Sequence, residues 1–283
     1  MSLDVRKRKC VAITGGASGL GKAMALYFAQ QGWCVAISDV NQSRGEETLN
    51  QLRTIAPDAL FTQVNVCDEQ SVSQWCSQIK AHWGQIDVLI NNAGIGLPGG
   101  INENAMNDWQ KIVDINFLGV VRGCRVFGEQ FKKQGFGHIV NIASMAGLLH
   151  LPNVSSYSAC KAAVVALSES MKFELLPYKV NVTVVCPGLF KTNLGESVTD
   201  PAKKADLETM MGKTKVSADD IAMAVFNGVK NNRFMVFTHK FERTVWWVKR
   251  YIPFLYYYVL KAIGNHNYKQ YQEKAKIINP DCS

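Results

Sequence analysis

The stretch Cys10-Val11-Ala12-Ile13-Thr14-Gly15-Gly16-Ala17-Ser18-Gly19-Leu20-Gly21 decides the fold, together with the Lys22-Ala23-Met24-Ala25-Leu26 that follows it. Cys10 to Thr14 reads as a short buried strand, and Leu20 to Gln30 carries apolar residues at helical spacing. Between them lies a turn rich in glycine. A strand that passes through glycines into a helix start turns free backbone N–H groups and the positive end of a helix dipole toward one point, where a pyrophosphate can approach the backbone. Gly15, Ser18, Gly19, Leu20 and Gly21 are therefore the candidates to hold the phosphates of a dinucleotide. A glycine run alone is a weak signal; the strand before it, the helix after it and its place in the first βαβ unit make it specific.

Working outward, the second apolar run, Trp33 to Ser38, ends at Asp39, 18 residues beyond Gly21. A carboxylate there accepts hydrogen bonds from the adenosine ribose hydroxyls, or it caps the helix that starts near Gln42. It would repel a 2′-phosphate, and Val40 and Ser18 supply no compensating charge. NAD(H) is thus expected in preference to NADP(H), with the nearby Arg44 keeping NADP(H) open.

Further runs, Leu60 to Val66, Ile86 to Ile90, His138 to Ile142, Val180 to Val185 and Arg233 to Phe237, alternate with the helical segments Ser71 to Trp83, Trp109 to Lys132 and Ser155 to Leu176. Nearly all-apolar strands joined through helices are what a parallel sheet covered on both faces requires. The fold class is therefore α/β: a Rossmann-type, doubly wound, parallel seven-stranded sheet with helices on both faces. Residues 1–238 form that domain, and residues 239–283, with no strand signal, form a C-terminal helical extension. At 283 residues, 47% hydrophobic and 19% charged, the chain can bury a large core.

The net charge of +8 permits phosphates or an anionic surface as partners, but the bases are scattered apart from Arg6-Lys7-Arg8-Lys9 and the C-terminal stretch, and no nucleic-acid motif accompanies them. Eight cysteines without a C-x-x-C pair point to a reducing, cytoplasmic setting and to no metal site. The start Met1-Ser2-Leu3-Asp4 is too polar for a secretory signal, and the longest C-terminal apolar run, Ile252 to Leu260, is shorter than the ~20 residues a spanning helix needs.

The spacing Thr-Gly-x-x-x-Gly-x-Gly from Thr14 to Gly21 resembles that of the short-chain dehydrogenase/reductase family. So do, in the same order, Asn91-Asn92-Ala93-Gly94, Asn116, Ser144, Tyr157-x-x-x-Lys161 and Pro187-Gly188. The resemblance covers residues 10 to about 238. It implies an oxidoreductase interconverting an alcohol and its ketone or aldehyde, in which Tyr157 moves the proton. Lys161 would also bind the nicotinamide ribose, Ser144 would hold the substrate oxygen, and Asn116 would anchor a water in a relay from Lys161. It further implies that Asp68 and the Val66 backbone meet the adenine, that Asn92, Ala93 and Gly94 shape the cofactor pocket with Pro187 and Gly188, that Thr192 contacts the carboxamide, and that the protein is a homodimer or homotetramer.

The chemistry follows from spacing as well. Tyr157 and Lys161 stand four apart on one helix, so they share a face. A positive charge beside a phenol is expected to lower its ordinary pKa of about 10 toward the range where acid–base catalysis is efficient. Ile95, Leu149, Val154, Leu189 and Phe190, with Leu97, Leu148, Leu151 and Met210 or Met211, make an apolar substrate pocket, which suggests a steroid-, retinoid- or fatty-alcohol-like substrate. The polar stretch 189–215 is expected to act as a lid. In the extension, Trp246, Trp247, Tyr251, Phe254, Tyr256, Tyr257 and Tyr258 interleave with Lys240, Arg243, Lys249, Arg250 and Lys261. Such a segment serves either a peripheral membrane contact or packing on the body or a sister subunit. A non-catalytic dinucleotide sensor or scaffold on the same frame is the alternative function.

Overall fold

A computed structural model describes residues 8–198 and 200–278, with side chains described to residue 265. Met1 to Asp4, Arg6 and Lys7 of the basic run, and Cys282 lie outside the described residues. The chain divides into two units, Met1–His239 and Lys240–Ser283.

The first unit runs β1 (Cys10–Thr14), α1 (Gly19–Gln30), β2 (Cys34–Asp39), α2 (Gln42–Arg53), β3 (Leu60–Gln63), α3 (Glu69–Trp83), β4 (Val88–Asn91), α4 (Met106–Val113), a π turn (Asp114–Leu118), α5 (Gly119–Gln134) and β5 (Gly137–Ile142). It continues through α6 (Ala146–Leu149), α7 (Ser155–Glu174), β6 (Val180–Cys186), a 3-10 turn (Asn193–Ser197), α8 (Pro201–Gly212), α9 (Ala218–Lys230) and β7 (Met235–Phe237). The second unit holds α10 (Lys240–Tyr251) and α11 (Pro253–Ile278).

All seven strands are parallel, in the order β3-β2-β1-β4-β5-β6-β7. The order reverses between β1 and β4, and the crevice above their carboxyl ends is where such sheets bind ligands. β1 and β5 are buried along their whole length, as expected for strands covered on both faces. Val11, Ile13, Val35, Ile37 and Ile90 pack with Met24 and Phe28 of α1 and Ile221 and Val225 of α9 in one core.

Local chemistry sets the helix ends. The Asp68 carboxylate caps α3 and Gly84, at φ 80°, closes it in the left-handed conformation. Ser217 and Asp220 form a capping box at α9. A buried polar chain fixes α7 on the sheet: Asn91 donates to Asn141 at 2.8 Å, Asn141 donates to Ser168 at 3.0 Å, and Ser168 donates to the Val164 carbonyl at 2.7 Å.

Three segments differ from the sequence expectation. The strand expected over Leu60 to Val66 pairs only to Gln63, because Asn65 accepts from Cys67 N and folds the chain into a turn. The single helix expected over Trp109 to Lys132 is interrupted by the π turn. The polar stretch 189–215 contains a helix, α8, started by the Asp200 carboxylate, which accepts from Ala202 N and Lys203 N, and by Pro201 in the first turn.

Candidate active site

The glycine loop is locked from behind. The Thr14 hydroxyl accepts from the backbone N–H groups of Asn92 and Ala93 at 2.9 and 3.1 Å, and the Asn92 amide donates to the carbonyls of Thr14 and Gly15 at 3.0 and 3.1 Å. Asn92 therefore braces the loop. A Cβ on Gly21 would lie 2.0 Å from the Gly15 carbonyl oxygen, so α1 comes as close to the loop as glycine permits. Gly15 and Gly19 adopt φ of 64° and 51°, in the left-handed region. Ser18, at the N-cap of α1, makes no side-chain cap bond, so that helix start is not closed by its own cap. A Cβ on Gly19 would meet the Thr192 hydroxyl at 3.0 Å, which puts Thr192 beside the loop.

Asp39 lies at the carboxyl end of β2, accepting from Ala17 N at 3.2 Å and from Asn41 N at 3.0 Å. The helix cap proper is Asn41, not Asp39. Arg44 is engaged with Glu196 of the 3-10 turn, which raises the arginine and lowers the glutamate from their usual ranges. A loop with an uncapped helix start, left-handed glycines and a carboxylate at the next strand end fits a nicotinamide dinucleotide. Asp68 caps α3, and the Val66 carbonyl accepts from Arg122 at 3.2 Å.

On the other side of the crevice, Lys161 of α7 is only 4% exposed. Its Nζ donates to the Ile142 carbonyl at 2.8 Å and stands 5.7 Å from the centre of the Tyr157 ring. Burial lowers its pKa to about 8, against the raising influence of the nearby cysteines Cys160 and Cys186. Burial also pushes the Tyr157 phenol up to about 12, while a hydrogen bond with Ser144 pulls the other way. The shift runs opposite to the one expected from Lys161: desolvation is its largest cause, and the opposing pull comes from the hydrogen bond with Ser144. Ser144 accepts from Ala146 N at 3.1 Å and donates to the Pro187 carbonyl at 3.5 Å.

Asn116 sits in the π turn, fully buried, accepting from Ile95 N and donating to Ile95 O, both at 2.8 Å. Each end of its amide thus makes one bond to the Ile95 backbone, which fixes the side chain's orientation. A Cβ on Gly94 would meet its oxygen at 3.2 Å. Ile95, Val154 and Leu189 are half-buried and Leu149 is buried. Phe190 packs against the main core. Met211 is buried whereas Met210 is 56% exposed, so Met211 is the inward one of the pair. Leu151 is exposed, and His150, at φ 53°, has Nε2 2.9 Å from the Gly147 carbonyl.

Two residues went unread in the sequence. Gly188 N donates to His239 Nδ1 at 3.1 Å, and His239 Nε2 lies 3.0 Å from the Leu189 carbonyl, which makes Nδ1 the acceptor and Nε2 the donor. His239 thereby clamps the Pro187-Gly188 loop. Ser197 accepts from Gly96 N at 3.0 Å and lies 2.9 Å from the Gly96 carbonyl, so the 3-10 turn is tied to the loop after β4. With Arg44–Glu196 and Lys203–Glu103, at 2.8 Å for the latter, the segment is fastened at several points. No local pattern marks either residue; both act through contacts about 50 and 100 positions away in the chain.

Residues 9–203 match the family model described as short chain dehydrogenase. The protein named probable oxidoreductase EphD of Mycobacterium tuberculosis is 31% identical over 234 residues, 79% of this chain and 40% of that one. The chain thus spans about 40% of the length of that relative. The 2,5-dichloro-2,5-cyclohexadiene-1,4-diol dehydrogenase LinX of Sphingobium indicum is 34% identical over 206 residues, 72% of this chain and 82% of its own. A short chain dehydrogenase/reductase from Burkholderia phymatum, solved in complex with NAD, superposes with a TM-score of 0.82 at 28% identity, covering 88% of this chain and 95% of that one.

Proposed function

The chain belongs to the short-chain dehydrogenase family, and on that footing we propose that it moves a hydride between NAD(H) and a lipophilic alcohol or ketone, with Tyr157 handling the proton. The observation that carries this reading is the meeting of Tyr157, Ser144 and the buried Lys161 around the carboxyl ends of the sheet that also bear the glycine loop.

Gly15, Ser18, Gly19, Leu20 and Gly21 would hold the pyrophosphate, Asp39 the adenosine ribose, and Lys161 the nicotinamide ribose. Asp68, Val66, Asn92, Ala93, Gly94, Pro187, Gly188 and Thr192 would complete the cofactor pocket. A bound nicotinamide supplies or accepts the hydride. Ser144 orients the substrate oxygen. The protonated Tyr157 hydroxyl delivers its proton to that oxygen in reduction and receives it in oxidation. Lys161, with its pKa near 8, can carry a proton or release it close to neutrality. Asn116 acts by holding Ile95, and with it one wall of the substrate space.

NAD(H) is preferred because the Asp39 carboxylate at the end of β2 would repel a 2′-phosphate and Arg44 is already paired with Glu196. The half-buried Ile95, Val154 and Leu189 and the buried Leu149 support an apolar, steroid-, retinoid- or fatty-alcohol-like substrate. We assign the catalytic domain to residues 1–238, expect a homodimer or homotetramer, and place the chain in a reducing, cytoplasmic compartment, in keeping with seven free cysteines among the described residues.

The test is NADH and NADPH binding by fluorescence, followed by turnover of lipophilic and sugar alcohols and ketones read from the reduced-nicotinamide absorbance. NADH binding with turnover of lipophilic substrates is expected. Faster turnover of a sugar alcohol would overturn the substrate class, a preference for NADPH would overturn the role of Asp39, and binding without any turnover would favour a dinucleotide sensor.

A further inference from the structure

The second unit carries an unusual surface for so short a segment. No described residue of α10 is buried, and Trp247 stacks on Tyr251 with ring centres 4.9 Å apart while both stay exposed. In α11, Phe254 and Tyr258 are 76% and 72% exposed, and Leu255 and Val259, one position on from each, are exposed beside them. Residues four apart on a helix share a face, so these four side chains form one apolar strip open to solvent. Tyr256 points the other way: it is buried, and Lys249 of α10 stands 5.5 Å over its ring. The two helices therefore pack through Tyr256, with Trp246 half-buried, and leave Phe241, Trp247, Tyr251, Phe254, Tyr257 and Tyr258 exposed. Over the described side chains the two helices carry Lys240, Arg243, Lys249, Arg250 and Lys261 against a single acid, Glu242.

Contiguous exposed apolar surface of this kind marks an interaction site. We propose that the α10–α11 pair is an interfacial docking element for an anionic lipid surface, its aromatics seated at the boundary between headgroups and acyl chains and its bases among the lipid phosphates. Charge decides the occupant. A second copy would set this net positive charge against an equal one, whereas an anionic bilayer is of the opposite sign. Docking is parallel to the surface, since among the described residues no helix is long and apolar enough to cross a membrane. The inference stands apart from the chemical reading of the first unit.

The experiment is co-sedimentation of the full chain with phosphatidylcholine vesicles, with and without about one third phosphatidylglycerol, at low salt and at about 0.5 M salt. We expect binding to the anionic vesicles that weakens at least tenfold on neutral vesicles or in high salt, since each base near such a surface contributes about fivefold. The double reversal Arg243→Glu with Lys261→Glu lowers binding at least tenfold, and so does Phe254→Ser with Tyr258→Ser, in which all the charges remain. Thermal unfolding followed by circular dichroism shows whether the variants keep the fold of the first unit. Absence of binding to anionic vesicles at low salt overturns the proposal, as does binding that both folded variants retain. A dimer in solution that the aromatic variant dissociates, with no vesicle binding, assigns the face to a second copy instead.

Discussion

At the glycine loop, ligand contact is prepared by backbone: Gly15 and Gly19 in left-handed conformations, a helix start without its own cap, and Asn92 and Thr14 bonded to main-chain atoms behind the loop. Around Tyr157 it is prepared by side chains, and two of them are held away from their ordinary proton affinities in opposite senses, the phenol upward and the ammonium downward. In the first region a Cβ on Gly15, Gly16 or Gly21 would stand 2.8 Å or less from a neighbouring atom. The second is sensitive to pH and to the loss of a single oxygen. Recognition and reaction thus fail in different ways, and each can be removed while the other is watched.

The largest effect expected is at Tyr157. Tyr157→Phe removes the hydroxyl and keeps the ring, so turnover should fall about a thousandfold while NADH binding stays within a few fold. Loss of binding together with turnover would erase the division between the two regions. Gly21→Ala should act in the reverse manner. Its Cβ would stand 2.0 Å from the Gly15 oxygen, so α1 must back away. A loss of about 3 kcal/mol of stability is expected, with NADH binding weakened at least tenfold.

A smaller effect follows from Lys161. A buried lysine whose pKa is lowered to about 8 from 10.5 burdens the folded state while charged, and the unfolded chain binds more protons between those two values. The contribution of Lys161 to stability should therefore rise as pH climbs from about 8 toward 10.5, and it is read as the Tm difference between the parent and Lys161→Met, which should shift in the parent's favour over that range. A difference that stays constant would assign any rise to another group. The smallest effect sharpens cofactor choice: Glu196→Gln releases Arg44, and NADPH should gain a few fold in affinity relative to NADH in paired binding titrations.

The same contrast governs what the sequence could reveal. The glycine loop, Asp39 and the seven strands were legible because each depends on residues close together in the chain: a run of buried side chains, a turn that needs glycine, a carboxylate one strand later. The pairing of Tyr157 with Lys161 was legible from helical spacing, but the direction of the tyrosine shift was not, because burial depends on everything packed around it. The roles of His239 and Ser197, and the bonding of the Asn116 amide to both backbone groups of Ile95, arise from contacts between distant segments. Helix α8 was locally readable after all, from Asp200 as cap and Pro201 after it; the polar composition of 189–215 masked it.

The π turn at Asp114–Leu118 has a consequence for how the chain tolerates insertion and deletion. A π turn holds one residue more than the α-helical turn it replaces, and each helical residue turns the axis by about 100°. Deleting one residue there would let α4 and α5 run on as one α-helix, and Phe127 and Phe131 of α5, both fully buried, would keep nearly the same direction relative to Ile112 of α4, because the π turn already takes up the extra residue within one turn. Inside the longest helical stretch of the first unit, one residue can thus be taken up locally, as a pleat takes up cloth without shifting the seams on either side.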